Sequence, residues 1–256
     1  MGDRSERTKR FIIKNFLPLG FLVVLIVALL WPYPGVEVSK PRVEGFRLIQ
    51  TINVIIIFII SGLTLKTDDI KKAMSKEGRF GFGFGVLTIL VITACFGFLA
   101  VEVPFATREF SYGLAIFSVV PTTLTSGVTL VGQAGGNDAL ALLLTVTTNL
   151  LGVATSPFFV KAVVNAGSAS IDAVQLLVKL IINVLVPLVV GKLIREYVSG
   201  VKPWVKRFKV QLSLTSSTML IMIVWQTLSR AQESIISIAV TEIISVIAAG
   251  IVLHMM

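Results

Sequence analysis

The sequence predicts an all-α polytopic membrane protein of about eight transmembrane helices, each needing roughly 20 residues at 1.5 Å rise. Three observations lead there. Charged residues make up 14% of the chain and mean hydropathy is +0.90, whereas a soluble domain carries roughly 25% charge. Long apolar runs recur through the whole length. The basic residues fall in the short segments between those runs. Hydrocarbon offers a backbone no hydrogen bonds, so long apolar runs within it become helices. A β-barrel is disfavoured because the runs are continuously apolar and do not alternate.

The runs place spans at 12–31, 48–65, 81–101, 111–132, 138–160, 173–194, 210–228 and 235–256. Charge supports their parity. On the side of the N-terminus lie Arg4 to Lys14, Lys66 to Arg79 and Lys192 to Lys209; on the other lie Lys40, Arg42, Arg47, Arg108, Lys161 and Arg230. The Lys and Arg split is 16 against 6, with Lys179 inside a span, which predicts a cytoplasmic-side N-terminus. The net charge of +9 is therefore read as topology, not as nucleic-acid binding. Leu17 to Trp31 has no small-residue cleavage site after it and is read as a retained span; acidic Asp3 and Glu6 argue against a transit peptide. One cysteine, Cys95, and one histidine, His254, allow neither an intrachain disulfide nor a Cys-based metal site.

Asn15-Phe16-Leu17-Pro18-Leu19-Gly20 in span 1 is echoed by Asn183-Val184-Leu185-Val186-Pro187-Leu188 and Gly191 in span 6. Five spans per unit would place the second unit upside down, giving inverted repeats over 1–165 and 166–256, an organisation common in transporters.

Span 4 carries the chemistry. Pro121-Thr122-Thr123-Leu124-Thr125-Ser126-Gly127-Val128-Thr129 removes a backbone donor at the proline and supplies hydroxyls after it. The expectation is a broken helix whose carbonyls and hydroxyls face a cavity. Such oxygens are hard ligands suited to an alkali cation. Span 5 follows a tight turn at Gly135-Gly136-Asn137-Asp138 and carries Thr145, Thr148 and Asn149 on one helical face. Thr122, Thr123, Thr129 and Thr148 are the expected substrate-cavity residues. Helix–helix glue is the other reading of the span 5 face. Glu242 is either an intramembrane carboxylate or an interfacial cap. Gly81, Gly83 and Gly85 read as close-packing positions.

These segments resemble the bile acid:sodium symporter superfamily, in particular the branch of plant chloroplast sodium/metabolite cotransporters. The resemblance is carried by Phe58 to Leu65 with the charged segment after it, by Pro121 to Val128, by Gly135 to Asn137 with Thr145 to Gly152, and by Leu185 to Glu196. It implies ten helices in two inverted repeats, with the fourth and ninth broken and crossing near mid-membrane. It implies sodium beside that crossing and an organic anion carried with it. By position it matches Ser126 and Gly127 to the crossing residues of the fourth helix and Thr145 to a sodium-ligating hydroxyl of the fifth; with Asn149 from the span 5 face these are the expected sodium-binding residues. Ala141 stands where some relatives carry a serine ligand. The eight spans before Met256 are two fewer than the ten implied, so the resemblance also implies that the last two helices are missing from this chain and that half of the crossing goes with them.

The expected function is secondary active transport, a sodium-coupled symport of an organic anion or related metabolite, with sodium as the coupling ion and no other cofactor. A plasma membrane or a plastid envelope fits. A chain lacking half of the crossing raises the alternative of a non-transporting scaffold or regulator. An intramembrane enzyme is argued against, because no nucleophile with a base and no mid-span aspartate pair stands out.

Overall fold

A computed structural model describes residues 6, 11–13, 15–43, 45–65, 79–122, 131, 134–166 and 172–255. In chain order its elements are α1 (Phe16–Leu30), α2 (Tyr33–Ser39), a hairpin of β1 (Arg42–Val43) and β2 (Phe46–Arg47), and α3 (Leu48–Thr64). Then come α4 (Arg79–Leu87), a π turn (Thr88–Ile92), α5 (Thr93–Val101), α6 (Arg108–Val119) and α7 (Asp138–Ala166). The rest is α8 (Ala173–Leu180), a second π turn (Ile181–Leu185), α9 (Val186–Tyr197), α10 (Val201–Arg207), α11 (Lys209–Ile236) and α12 (Val240–Met255).

Each of the eight expected spans overlaps a described helix, with non-helical residues at Val120 to Thr122 inside 111–132 and at Ser237 to Ala239 inside 235–256. Among the described residues four helices are long and apolar enough to cross a bilayer: Phe80–Val101, Leu140–Asn165, Ala173–Tyr197 and Lys209–Ile236. The bent pair α1 and α2 makes a fifth candidate, and α3 and α12 are shorter apolar helices. Large apolar side chains such as Leu22, Phe80, Val190 and Ile247 stand exposed along these helices. Apolar exposure on that scale is foreign to a water-soluble surface and normal against lipid. The protein is a multi-pass helical membrane protein.

The helices form two compact units, Met1–Leu65 with Ile182–Ile238, and Lys66–Ile181 with Ala239–Met256. These are not the sequence halves 1–165 and 166–256. Each unit draws helices from both halves.

In the first unit, α1 turns by 101° into α2. Pro32 enforces the corner, since the residue before a proline is driven out of the helical region and Trp31 sits at φ −143°, ψ 76°. This short helix and the hairpin after it were not anticipated from the sequence. α3 and α9 cross at two glycines with their backbones in contact. A Cβ on Gly62 would stand 2.2 Å from the Leu188 carbonyl oxygen, and one on Gly191 2.2 Å from that of Ile59. α1 meets α11 at Gly20 and Ile221. Beyond the crossing, α9 caps α3. Lys192 Nζ donates to the Leu65 carbonyl at 2.8 Å and Arg195 Nη1 to that of Leu63 at 2.6 Å. The end of a helix leaves four carbonyls without partners, and cations suit that negative pole. Replacing Arg195 by alanine should therefore lower the melting temperature in detergent, followed by tryptophan fluorescence, by an amount equal to about 1–3 kcal/mol, the usual size of a lost charged hydrogen bond.

In the second unit, Ala94, Ala100, Leu114, Ala115, Val119, Val160 and Val163 pack α5, α6 and α7 together. Small residues bring these helices close; a Cβ on Gly97 would lie 3.1 Å from the Ala115 carbonyl oxygen. Of the three glycines at the start of α4, Gly81 and Gly85 pack on Leu140 and Leu144 of α7, while Gly83 meets nothing. Between α4 and α5 one extra residue forms a π turn, and the Thr93 hydroxyl bonds back to the Thr88 and Ile89 carbonyls. The Glu242 carboxylate accepts the Thr107 N–H, just ahead of the first turn of α6. Of its two readings, Glu242 takes that of a cap. α7 runs on to Ala166 through the buried Pro157, six residues past the expected end, and α11 runs to Ile236, where 228 was expected.

Candidate cation and substrate site

α6 ends where the proline dictates. Its 12 residues rise about 18 Å, well short of roughly 30 Å of hydrocarbon. Pro121 has no N–H to give the Phe117 carbonyl; the Val120 N–H takes that place at 3.4 Å. Val120 is extended, at φ −73°, ψ 130°, and Pro121 and Thr122 continue outside helical geometry. The last carbonyls of α6 and those of the extended residues must then be satisfied by something other than the next helical turn.

α7 supplies the partners from one face. Asn149 Nδ2 donates to the Thr122 carbonyl at 2.7 Å and to the Thr145 carbonyl at 2.7 Å. Both partners are acceptors, so the amide presents its NH2 here, and Oδ1 remains an acceptor without a partner among the described residues. The Thr148 hydroxyl donates to the Leu144 carbonyl at 2.8 Å. That engages its single proton. In the 3.4 Å contact between the hydroxyls of Thr122 and Thr148, Thr122 is therefore the donor. One turn further on, Gly152 leaves room for the proline ring: a Cβ there would stand 2.8 Å from Pro121 Cγ. The Ser156 hydroxyl lies 3.4 Å from the carbonyl of Val119, the last residue of α6.

Thr145 and Thr148 are buried and Asn149 is partly so. Thr122, Thr145, Thr148 and Asn149, all expected from the sequence, are brought together at the break. Thr123, Ser126, Gly127 and Thr129 lie outside the described residues. Gly152 and Ser156 were missed as site residues. The signal was present, because 145, 149, 152 and 156 continue one helical face at i, i+4, i+7 and i+11. Chemically, the site is a cluster of neutral oxygens around a discontinuous backbone. Among the described residues no group of three or more His, Cys, Asp or Glu is placed to hold a metal ion. Such a site suits a weakly held monovalent cation better than a transition metal.

A helix that ends at a proline with its freed carbonyls against the polar face of its neighbour, inside a multi-pass helical bundle, fits the construction of a secondary transporter. The comparison with known proteins agrees. Residues 15–256 match the SBF-like CPA transporter family, and the chain belongs to that family. It is 38% identical to the probable sodium/metabolite cotransporter BASS4, chloroplastic, of Arabidopsis thaliana, over 94% of this chain and 54% of that protein. The protein of the same name from Oryza sativa subsp. japonica is 33% identical over 94% of this chain and 55% of its own length. Sodium/bile acid cotransporter 7-A of Xenopus laevis is 30% identical over 84% of this chain and 61% of its own length. The chain thus spans about half the length of the plant relatives it matches. The resemblance to this family read from the sequence holds.

Proposed function

We propose that this chain serves sodium-coupled symport of an organic anion or related metabolite, with the cation held at the break between α6 and α7. The observation that carries the reading is the Asn149 amide, which ties the non-helical Thr122 carbonyl to the helical Thr145 carbonyl while its Oδ1 has no partner among the described residues. Carbonyl and hydroxyl oxygens at such a break coordinate the coupling ion in carriers of this construction. Ser126 and Gly127 complete the sodium set in this reading, beside Thr145 and Asn149. Thr122, Thr123, Thr129 and Thr148 line the substrate cavity. The names of the plant and amphibian relatives support sodium as the ion and a small organic molecule as cargo.

A cation drives coupling only through its differential affinity for two conformations. Bound here, it would stabilise the arrangement in which the extended residues stay against α7, and so bias the carrier toward the state that accepts the anion. The inverted repeats over 1–165 and 166–256, the cytoplasmic-side N-terminus, and a plasma membrane or plastid envelope setting belong to the same reading. The paired use of Gly20 and Gly191, each a helix-contact position in corresponding first helices, supports the repeat.

The test is thermal stability of the purified chain in detergent with sodium chloride against choline chloride at equal ionic strength. Sodium should raise the melting temperature with a saturable, millimolar dependence, and potassium should do so less. A matching curve in all three salts overturns the sodium assignment. Sodium-gradient uptake of organic anions into proteoliposomes then identifies the cargo class.

A further inference from the structure

A second site stands in the first unit. Antiparallel pairing in the hairpin sets Arg42 directly opposite Arg47. Like charges facing each other across two strands repel, and neither arginine has an ion-pair partner among the described residues. Glu37 is taken up by Lys40, and the hydrogen bond that Lys40 donates to that carboxylate raises the Lys40 pKa. Glu44, in the turn, lies outside the described residues; counting its charge still leaves the hairpin net positive.

The two arginines line a cavity of about 350 Å³ together with Gly45, Phe46, Gln50 and Thr51. Its floor is the start of α3, a 17-residue helix with no side-chain cap and no acidic residue in its first turn, so the helix pole adds positive potential. A third guanidinium is one hydroxyl away. Gln50 Nε2 donates to the Thr227 hydroxyl at 3.0 Å, and Arg230 Nη2 lies 3.5 Å from the same oxygen. Arg230 Nε bonds the Gln226 carbonyl at 3.2 Å, while its Nη1 is buried without a partner. A buried, unpaired guanidinium nitrogen is costly unless something satisfies it.

We propose that this cavity binds a phosphate group, carried by an anionic lipid headgroup or free in solution. A tetrahedral oxyanion between Arg42 and Arg47 accepts two charge-assisted hydrogen bonds from each planar fork. It turns their mutual repulsion into joint attraction, and its remaining oxygen faces the amide of Gln50 and the hydroxyl of Thr51. The cavity is larger than one phosphate, which leaves space for the glycerol of a headgroup.

The experiment measures melting temperature of the purified chain in neutral detergent against three additions: short-chain phosphatidylglycerol, short-chain phosphatidylcholine, and inorganic phosphate balanced with chloride. Phosphatidylglycerol or inorganic phosphate should stabilise the protein saturably, and phosphatidylcholine should not match it. A response to phosphatidylglycerol alone assigns the lipid source; a response to inorganic phosphate assigns the free anion. In R42Q/R47Q, the half-saturating concentration should rise by about tenfold or more, the equivalent of one lost charged hydrogen bond. Arg42 is exposed, so Arg42→Gln alone serves if the double variant folds poorly. Absence of a response to both phosphatidylglycerol and inorganic phosphate, stabilisation by phosphatidylcholine as large as that by phosphatidylglycerol, or an unchanged half-saturating concentration in these variants overturns the proposal.

Discussion

Leucine in place of Gly191 is expected to leave no monodisperse protein after detergent extraction, and alanine alone should cost about 1–3 kcal/mol of stability, as overpacking usually does. The cause is the contact at the α3 and α9 crossing. The atoms that an added Cβ meets are the Ile59 carbonyl oxygen at 2.2 Å and its carbonyl carbon at 3.0 Å. Backbone cannot rotate aside as a side chain does, so the two helices must separate along their contact. Gly62 faces the reciprocal limit from the Leu188 carbonyl at 2.2 Å and the Lys192 nitrogen at 2.8 Å. Separation also pulls Lys192 and Arg195 off the carbonyls they cap. Gly20 is the control. Its nearest obstacle is Ile221 Cδ1 at 2.1 Å, the far end of a side chain with other rotamers, and Gly20→Ala should cost far less. Because Gly62 and Gly191 share one crossing, their alanine substitutions should be less than additive. Size-exclusion profile and melting temperature of these variants beside the wild type check this. Equal tolerance at Gly20 and Gly191 would show that the crossing is not a backbone contact.

The second large effect is expected at Asn149. Leucine has nearly the same shape and no donor, so Asn149→Leu removes the hydrogen bond that the Thr122 carbonyl accepts among the described residues. A stranded polar group of that kind costs about 1–3 kcal/mol, and the sodium-dependent rise in melting temperature should disappear along with it. Thr148→Val is the mild comparison. The Leu144 carbonyl that its hydroxyl bonds is already inside a regular helix, so only the 3.4 Å contact with Thr122 is lost. Asn149→Asp separates structure from ion binding. It sets a carboxylate against two carbonyl oxygens, an arrangement satisfied by a cation between them. That variant should be less stable than wild type in choline and should gain more than wild type from sodium. A sodium response that survives in Asn149→Leu removes this residue from the cation site.

Much of this protein was legible from the chain alone because lipid makes strict demands. A backbone without water must bond to itself, so an apolar run long enough to span is a helix, and the expected spans at 48–65 and 81–101 agree with α3 and with α4 through α5 almost to the residue. The chemistry of the break was legible too, since a proline has no N–H in any context and the carbonyl it abandons needs a partner. Thr145, Thr148 and Asn149 could be assigned to a single face from helical spacing. The ends of α7 and α11 could not, because the charged Lys161 and Arg230 look like loop residues in sequence and stand inside helices that run on past them.

The sequence by itself determined the membrane class, the order of the helices, the place of the break and the residue types that answer it. Each of these follows from local composition and from the solvent the chain must live in. Only the tertiary structure decided which helices share a unit, that Gly62 meets Gly191, that Arg42 faces Arg47, and that one amide spans the gap from Thr122 to Thr145. Those are contacts between residues far apart in the chain. They are fixed by which surfaces fit without voids or stranded polar groups, a condition that no single segment carries within itself.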